Sequence, residues 1–242
     1  MSFAFFFPGQ GSQSLNMMNG FDGQTVIKAT FDEASAVLGQ DLWAMINGEH
    51  AETINETVNT QPLMLAAGIA TYRAYLEAGG KEPSVMAGHS LGEYTALVVA
   101  GSLSFVDALK LVRLRAELMQ SAVPQGTGSM AAILGLDDDA VRAVCAEAAQ
   151  GEVVEAVNFN SPGQVVIAGS IAAVERAIET AKAKGAKRAL PLPVSVPSHC
   201  LLMKPAAEKL AEALKAVDIQ PPKIPVIHNA DVASYNNAEQ IK

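Results

Sequence analysis

Five residues, Gly88-His89-Ser90-Leu91-Gly92, restrict the possible folds of this chain more than any others. An apolar run at 84–87 enters them and a helical pattern at 93–100 leaves. They therefore read as a sharp strand-to-helix turn that thrusts Ser90 out at the carboxyl end of a sheet. The glycines matter because the serine's backbone is strained there and side chains at 88 and 92 would collide with neighbouring main chain. A helix opening at Leu91 adds N–H groups and a dipole that favour developing negative charge. A chance serine in a tight turn would show the same letters; the strand and helix on either side favour a nucleophile.

The rest of the chain supplies the surroundings such a turn needs. Residues 3–7 form a continuous apolar run ending at Pro8-Gly9, which predicts a strand covered on both faces. Helices are predicted over 24–38, ending at Gly39, and from Thr60-Gln61-Pro62 to about 78, with Pro62 near the first turn. Ser104 and Asp107 have capping-box spacing and open a helix to about 121. Strand and helix in alternation predict an α/β architecture. After Pro124-Gln125-Gly126 the order becomes strand 130–136, helix 137–150 and strand 153–159. A turn at 160–163, strand 164–168, helix 170–184 and strand 186–190 follow. That β-α-β-β-α-β order is ferredoxin-like. The expected domains are a catalytic α/β domain at 1–124 and 193–242 with a small insert at 125–192. A helix at 204–217 and a strand at 224–227 resume the large domain.

A serine needs a base within hydrogen-bond reach. His89 lies inside the turn and His50 in a polar loop. His199 and His228 both fall late in the chain, as the Ser-before-His order requires, and spacing does not separate them. Arg115 borders the apolar stripe Leu111, Leu114 and Leu118. It reads either as a snorkelling surface residue or as a fixed guanidinium able to grip a carboxylate through two parallel hydrogen bonds. Asp137, Asp138 and Asp139 read as helix-capping residues and not as a triad acid.

The 242 residues are 50% hydrophobic and 17% charged, with 17 Lys and Arg against 25 Asp and Glu, a net charge of −8. That balance repels nucleic acid and anionic membrane, and it suits a folded core. Cys145 and Cys200 make no disulfide framework, and no CxxC pair offers a zinc site. The amino terminus has no basic region ahead of its apolar run, and no run of 18 apolar residues occurs. A cytoplasmic, metal-free protein is expected. Residues 126–131 fit a loose GxGxxA pattern but precede a strand instead of following one, so no dinucleotide is expected. Lys182, Lys184, Lys187 and Arg188 form the one local basic cluster that an acidic partner could use, together with Lys204 and Lys209.

Seven ordered motifs carry a resemblance: PGQGSQ, the TQP helix, GHSLGEY, the LRAELMQ helix, AVPQGTGSMAAILGL, VNFNSPGQVVIAG and VPSHCLLM. Together the chain resembles the malonyl-CoA:acyl carrier protein transacylase family from Phe7 to about Val232. The resemblance implies an α/β-hydrolase-like domain with a ferredoxin-like insertion, and a ping-pong transfer through a malonyl-serine ester. It implies Ser90 as nucleophile and His199, in preference to His228, as base. Arg115 is implied as the grip on the malonyl carboxylate, and Gln10 and Leu91 as backbone donors of the oxyanion hole. Ser198 and Asn160 are implied to line the acyl pocket. Malonyl-CoA and acyl carrier protein are the implied partners, the former as substrate, with no separate cofactor. The family's pattern continues beyond Lys242 and includes a carbonyl that orients the histidine, so a truncated carboxyl end is expected. Alternatives are an acyltransferase of polyketide assembly, a thioesterase-like hydrolase, or a silent carrier-binding module.

Overall fold

The computed structural model describes residues 2–124, 126–194 and 196–242. Gln125, where the expected insert begins, lies outside the described residues. By its internal contacts the chain divides into two compact units, Met1–Ala116 with Ala211–Lys242, and Glu117–Leu210; the expected insert falls inside the second.

The first unit opens with strand β1 (Ala4–Phe7), then helices α1 (Thr25–Leu38), α2 (Leu42–Ile46), α3 (Ala51–Asn55) and α4 (Thr57–Glu77). Strand β2 (Val85–Gly88), helix α5 (Gly92–Val99) and helix α6 (Phe105–Ser121) follow. The chain returns to this unit at Ala211 and then forms β7 (Val226–Ile227) and α10 (Ala238–Ile241). The sheet is parallel in the order β1-β2-β7, with Phe7 opposite Gly88 and Ala87 opposite Ile227. Parallel strands need crossovers, which here are helical. Helix α1 ends as its sequence demands, with Gly39 left-handed at φ 64° and bonded to the Ser35 carbonyl. Ser104 and Asp107 do form a reciprocal cap at the start of α6, with Asp107 N–H donating to Ser104 Oγ at 3.0 Å.

Two expectations are corrected here. Helix α4 begins at Thr57, one turn ahead of the prediction, so Pro62 lies within it. The earlier start holds because side chains satisfy the preceding carbonyls: Thr60 Oγ1 donates to Ile54 O at 2.6 Å and Asn59 Nδ2 to Thr53 O at 2.9 Å. Strand β1 is covered on one face only. Phe5 packs edge-on against Tyr72 and Tyr75 and Phe7 is buried, but the alternate residue Phe6 is 77% exposed.

The second unit contains β3 (Gly128–Leu134), α7 (Asp138–Ala149), β4 (Val154–Ser161), β5 (Gln164–Ser170), α8 (Ile171–Ala183) and β6 (Arg188–Pro191). A 3₁₀ turn (Leu201–Met203) and α9 (Lys204–Lys215) follow. Its antiparallel sheet has the order β4-β5-β3-β6, the ferredoxin-like arrangement anticipated from the element order. Asp137 caps α7 by accepting from Ala140 N–H at 2.7 Å. Helices α7 and α8 cover one face of the sheet and enclose Ile133, Val144, Cys145, Val165, Ile167 and Val174. The predicted turn at 160–163 is shorter than expected: β4 runs on to Ser161, with register shifts at 156–158 and at 159–161. These bulges accommodate extra residues without breaking the ladder.

Candidate active site

Strand β2 delivers Ser90 into the left-handed region at φ 51°, where a non-glycine residue costs about 1–3 kcal/mol. The turn is possible only because its glycines lack side chains. A Cβ on Gly88 would lie 2.0 Å from the Gly92 carbonyl carbon, and one on Gly92 would lie 2.1 Å from Phe7 O. Leu91, 1% exposed, anchors the turn in the core and leads into α5. Gly92 N–H and Glu93 N–H bond back to the carbonyls of His89 and Ser90, whereas Leu91 N–H takes part in no backbone hydrogen bond among the described residues. The same is true of Gln10 N–H, in the loop that leaves β1 beside this turn. Two uncommitted N–H groups are what an oxyanion hole requires.

Arg115, on α6, reaches the serine. Its Nη2 donates to Ser90 Oγ at 3.0 Å and its Nη1 to Gln61 Oε1 at 2.6 Å. Gln61 is fully buried and donates in turn to Thr57 Oγ1 at 3.0 Å, which donates to Gln10 Oε1 at 3.0 Å. A guanidinium fixed this way is not a snorkelling surface residue; one nitrogen is anchored and the other is presented to Ser90 Oγ. The guanidinium also stands 5.8 Å from the centre of the Tyr94 ring, within cation–π range. Burial pushes the Tyr94 phenol up, with the positive charge of Arg115 partly offsetting this, so the ring stays neutral beside the cation.

Sequence reasoning did not assign a role to Gln61, although a glutamine in the apolar stretch after Thr60 was a visible signal. It also missed Asn229 and Glu93. Asn229 Oδ1 accepts from Ser90 N–H at 2.9 Å, and Glu93 Oε1 faces His228 Nδ1 at 2.8 Å. His228 is therefore engaged with a carboxylate on α5, and that bond occupies the Nδ1 nitrogen.

His199, Ser198 and Asn160 belong to the second unit. His199 is exposed and adopts φ 69°, on a tight turn where Ser198 N–H bonds Val196 O at 3.0 Å. Val196 and Cys200, the buried residues on either side of this turn, hold it to the unit's core, Cys200 against Met130, Val166 and Ala168. Pro197 packs so close to Gly128 that a Cβ there would meet its ring at 2.4 Å. Asn160 is exposed on β4 within the second register shift, where a bulge re-aims side chains. Of the basic cluster, Lys182 and Lys184 are paired with Glu179 and Glu147, while Lys187 and Arg188 form no ion pair among the described residues. Among the described residues no group of three or more His, Cys, Asp or Glu is placed to hold a metal, and no helix is long and apolar enough to cross a membrane.

A strained serine at a glycine-framed strand-to-helix turn, with free N–H groups and a fixed cation beside it, is the arrangement that acyl-group chemistry on a serine would call for. Comparison with known proteins agrees. The acyl transferase domain family model matches residues 4–240. The malonyl CoA-acyl carrier protein transacylase of Escherichia coli K12 is 56% identical over 241 residues, 99% of this chain and 78% of the relative. The solved acyl-carrier-protein S-malonyltransferase of Burkholderia pseudomallei 1710b superposes with a TM-score of 0.97 at 61% identity, covering 100% of this chain and 78% of that one. A malonyl-transacylase solved in complex with its type II PKS acyl-carrier protein gives 0.98 at 56% identity, again over 100% and 78%. The chain belongs to the acyl transferase domain family, among its malonyl CoA-acyl carrier protein transacylases.

Proposed function

We propose that this chain moves a malonyl group from CoA to the phosphopantetheine thiol of acyl carrier protein through a malonyl ester on Ser90. The observation that carries the reading is the guanidinium of Arg115, fixed by Gln61 and set 3.0 Å from Ser90 Oγ. A substrate whose acyl group ends in a carboxylate meets a cation at the reacting serine, and an acetyl group does not.

Ser90 Oγ attacks the thioester carbonyl while His199 takes its proton. The oxyanion is held by the N–H groups of Leu91 and Gln10, and an oxyanion-hole donor is typically worth about 2.7–4 kcal/mol. The intermediate collapses, the C–S bond breaks, and CoA leaves with the proton from His199. The carrier thiol then attacks the ester, with His199 as base again, and Ser90 Oγ recovers its proton. Ser198 and Asn160 line the acyl pocket. Lys187 and Arg188, which form no ion pair among the described residues, suit an acidic carrier protein. The reaction belongs in the cytoplasm, a reading supported by two cysteines that are buried and unpaired. The relative solved with a PKS carrier favours testing polyketide carrier protein as a second acceptor.

Intact-mass analysis after incubation with malonyl-CoA should show one malonyl group on the chain, lost when holo acyl carrier protein is added. Ser90→Ala should show none. An adduct that persists in Ser90→Ala would refute the assignment.

A further inference from the structure

Ser90 keeps an unfavourable backbone conformation that the glycines permit but do not enforce. The residue that fastens it comes from the other end of the unit. Asn229 follows β7, and its carboxamide spans the turn: Oδ1 accepts from Ser90 N–H at 2.9 Å and Nδ2 donates to Gly88 O at 2.6 Å. It clips the carbonyl before the turn to the N–H of the serine itself. Glu93, in the first turn of α5, holds the clip from behind. Its Oε2 accepts from Asn229 Nδ2 at 2.6 Å and from Asn229 N–H at 2.7 Å, while Oε1 meets His228 Nδ1 at 2.8 Å.

The carboxamide has only one workable orientation. Two acceptors, Gly88 O and the Glu93 carboxylate, face one end and a donor faces the other, so a flip would set like against like at all three contacts. The same contact also settles which N–H can serve the oxyanion. Ser90 N–H is committed to Asn229, leaving Leu91 N–H as the uncommitted donor of the turn.

We propose that Asn229, oriented by Glu93, is the positioning residue of the nucleophile, holding Ser90 in the strained conformation that presents Oγ. This rests on the reading of Ser90 as nucleophile. Asn229 bonds to Ser90, Gly88 and Glu93 and forms no hydrogen bond with Arg115 among the described residues, so its effect falls on the reactivity of Ser90 and not on malonyl recognition.

The test compares two labels on Ser90: the malonyl group from malonyl-CoA, and a small fluorophosphonate that has no carboxylate for Arg115. In Asn229→Ala both labelling rates should drop together, roughly tenfold to a hundredfold, with the malonyl-CoA KM nearly unchanged. Asn229→Asp, of the same shape, can accept from Ser90 N–H but places a carboxylate against Gly88 O and Glu93; it should be slow, and Glu93→Gln in the same chain should restore part of the rate. Loss of malonyl labelling with phosphonate labelling intact, retention of both rates, or no recovery in the double variant would each overturn the proposal. Failure of the phosphonate to label Ser90 in the unaltered chain would instead strike the nucleophile reading on which it rests.

Discussion

Arg115 rests on Ser90, its Nη2 donating to Oγ across 3.0 Å. A guanidinium has donors only, so the hydroxyl oxygen must accept, and the serine's own proton is left pointing elsewhere, available to a base. On the proposed mechanism, the residue that selects the substrate thus also orients the nucleophile before substrate arrives.

Arg115→Ala should therefore depress malonyl transfer more than acetyl transfer. A hydrogen bond to a charged group is worth about 1.5–3 kcal/mol, which corresponds to roughly a tenfold to 150-fold fall in kcat/KM for malonyl-CoA. Rates with malonyl-CoA and acetyl-CoA measured side by side check this; an unchanged ratio would remove the clamp from the mechanism.

Gln61→Ala should act at two levels. It leaves the half-buried Arg115 Nη1 without its acceptor and the fully buried Thr57 Oγ1 with Gln10 alone, costing about 1–3 kcal/mol of stability. It also frees the guanidinium to swing, raising the malonyl-CoA KM. Gln61→Glu keeps a partner for Arg115 but supplies a competing carboxylate, so it should recover stability without recovering malonyl affinity. Urea midpoints and KM values separate the two.

Gly92→Ala should damage the fold itself. Its Cβ would stand 2.1 Å from Phe7 O, a backbone atom that cannot rotate away, so β1 and the start of α5 must separate. Overpacking of this kind typically costs about 1–3 kcal/mol. The expected result is a lower urea midpoint together with lost acylation.

Cys145 predicts a dependence on alkaline pH. Burial between α7 and the sheet of the second unit pushes its thiol from 9.0 up to about 12. A thiol with a raised folded pKa stays protonated in the native state while the unfolded chain ionises, so its contribution is complete below pH 9 and erodes as pH climbs towards 12. Iodoacetamide at pH 8 should leave Cys145 unmodified until denaturant is added. Cys145→Ala should flatten the decline in urea midpoint between pH 8 and 11.

What was legible in the sequence was whatever depends on near neighbours. The Gly88–Gly92 turn, the Ser104–Asp107 cap and the alternation of the ferredoxin-like unit all declare themselves within a few residues. Gln61 with Arg115 and Ser90 with Asn229 do not, being 54 and 139 residues apart in the chain. The start of α4 was missed because Pro62 is a helix-opening signal and the side-chain bonds of Asn59 and Thr60 outweighed it. Phe6 was misjudged because an unbroken apolar run does not reveal that one face of its strand lacks a cover. Asn160 was placed in a turn because Pro162-Gly163 mark one, and the bulges that carry β4 past it have no local signature.

The clip on Ser90 also sets a schedule. Asn229 lies 139 residues after the serine, which at about 5–20 residues per second of synthesis means a wait of roughly 7–28 s between the emergence of the two. On the proposed reading, a nascent chain bearing the complete glycine-framed turn reacts slowly through that interval, and its serine comes to full reactivity only once Asn229 has left the ribosome.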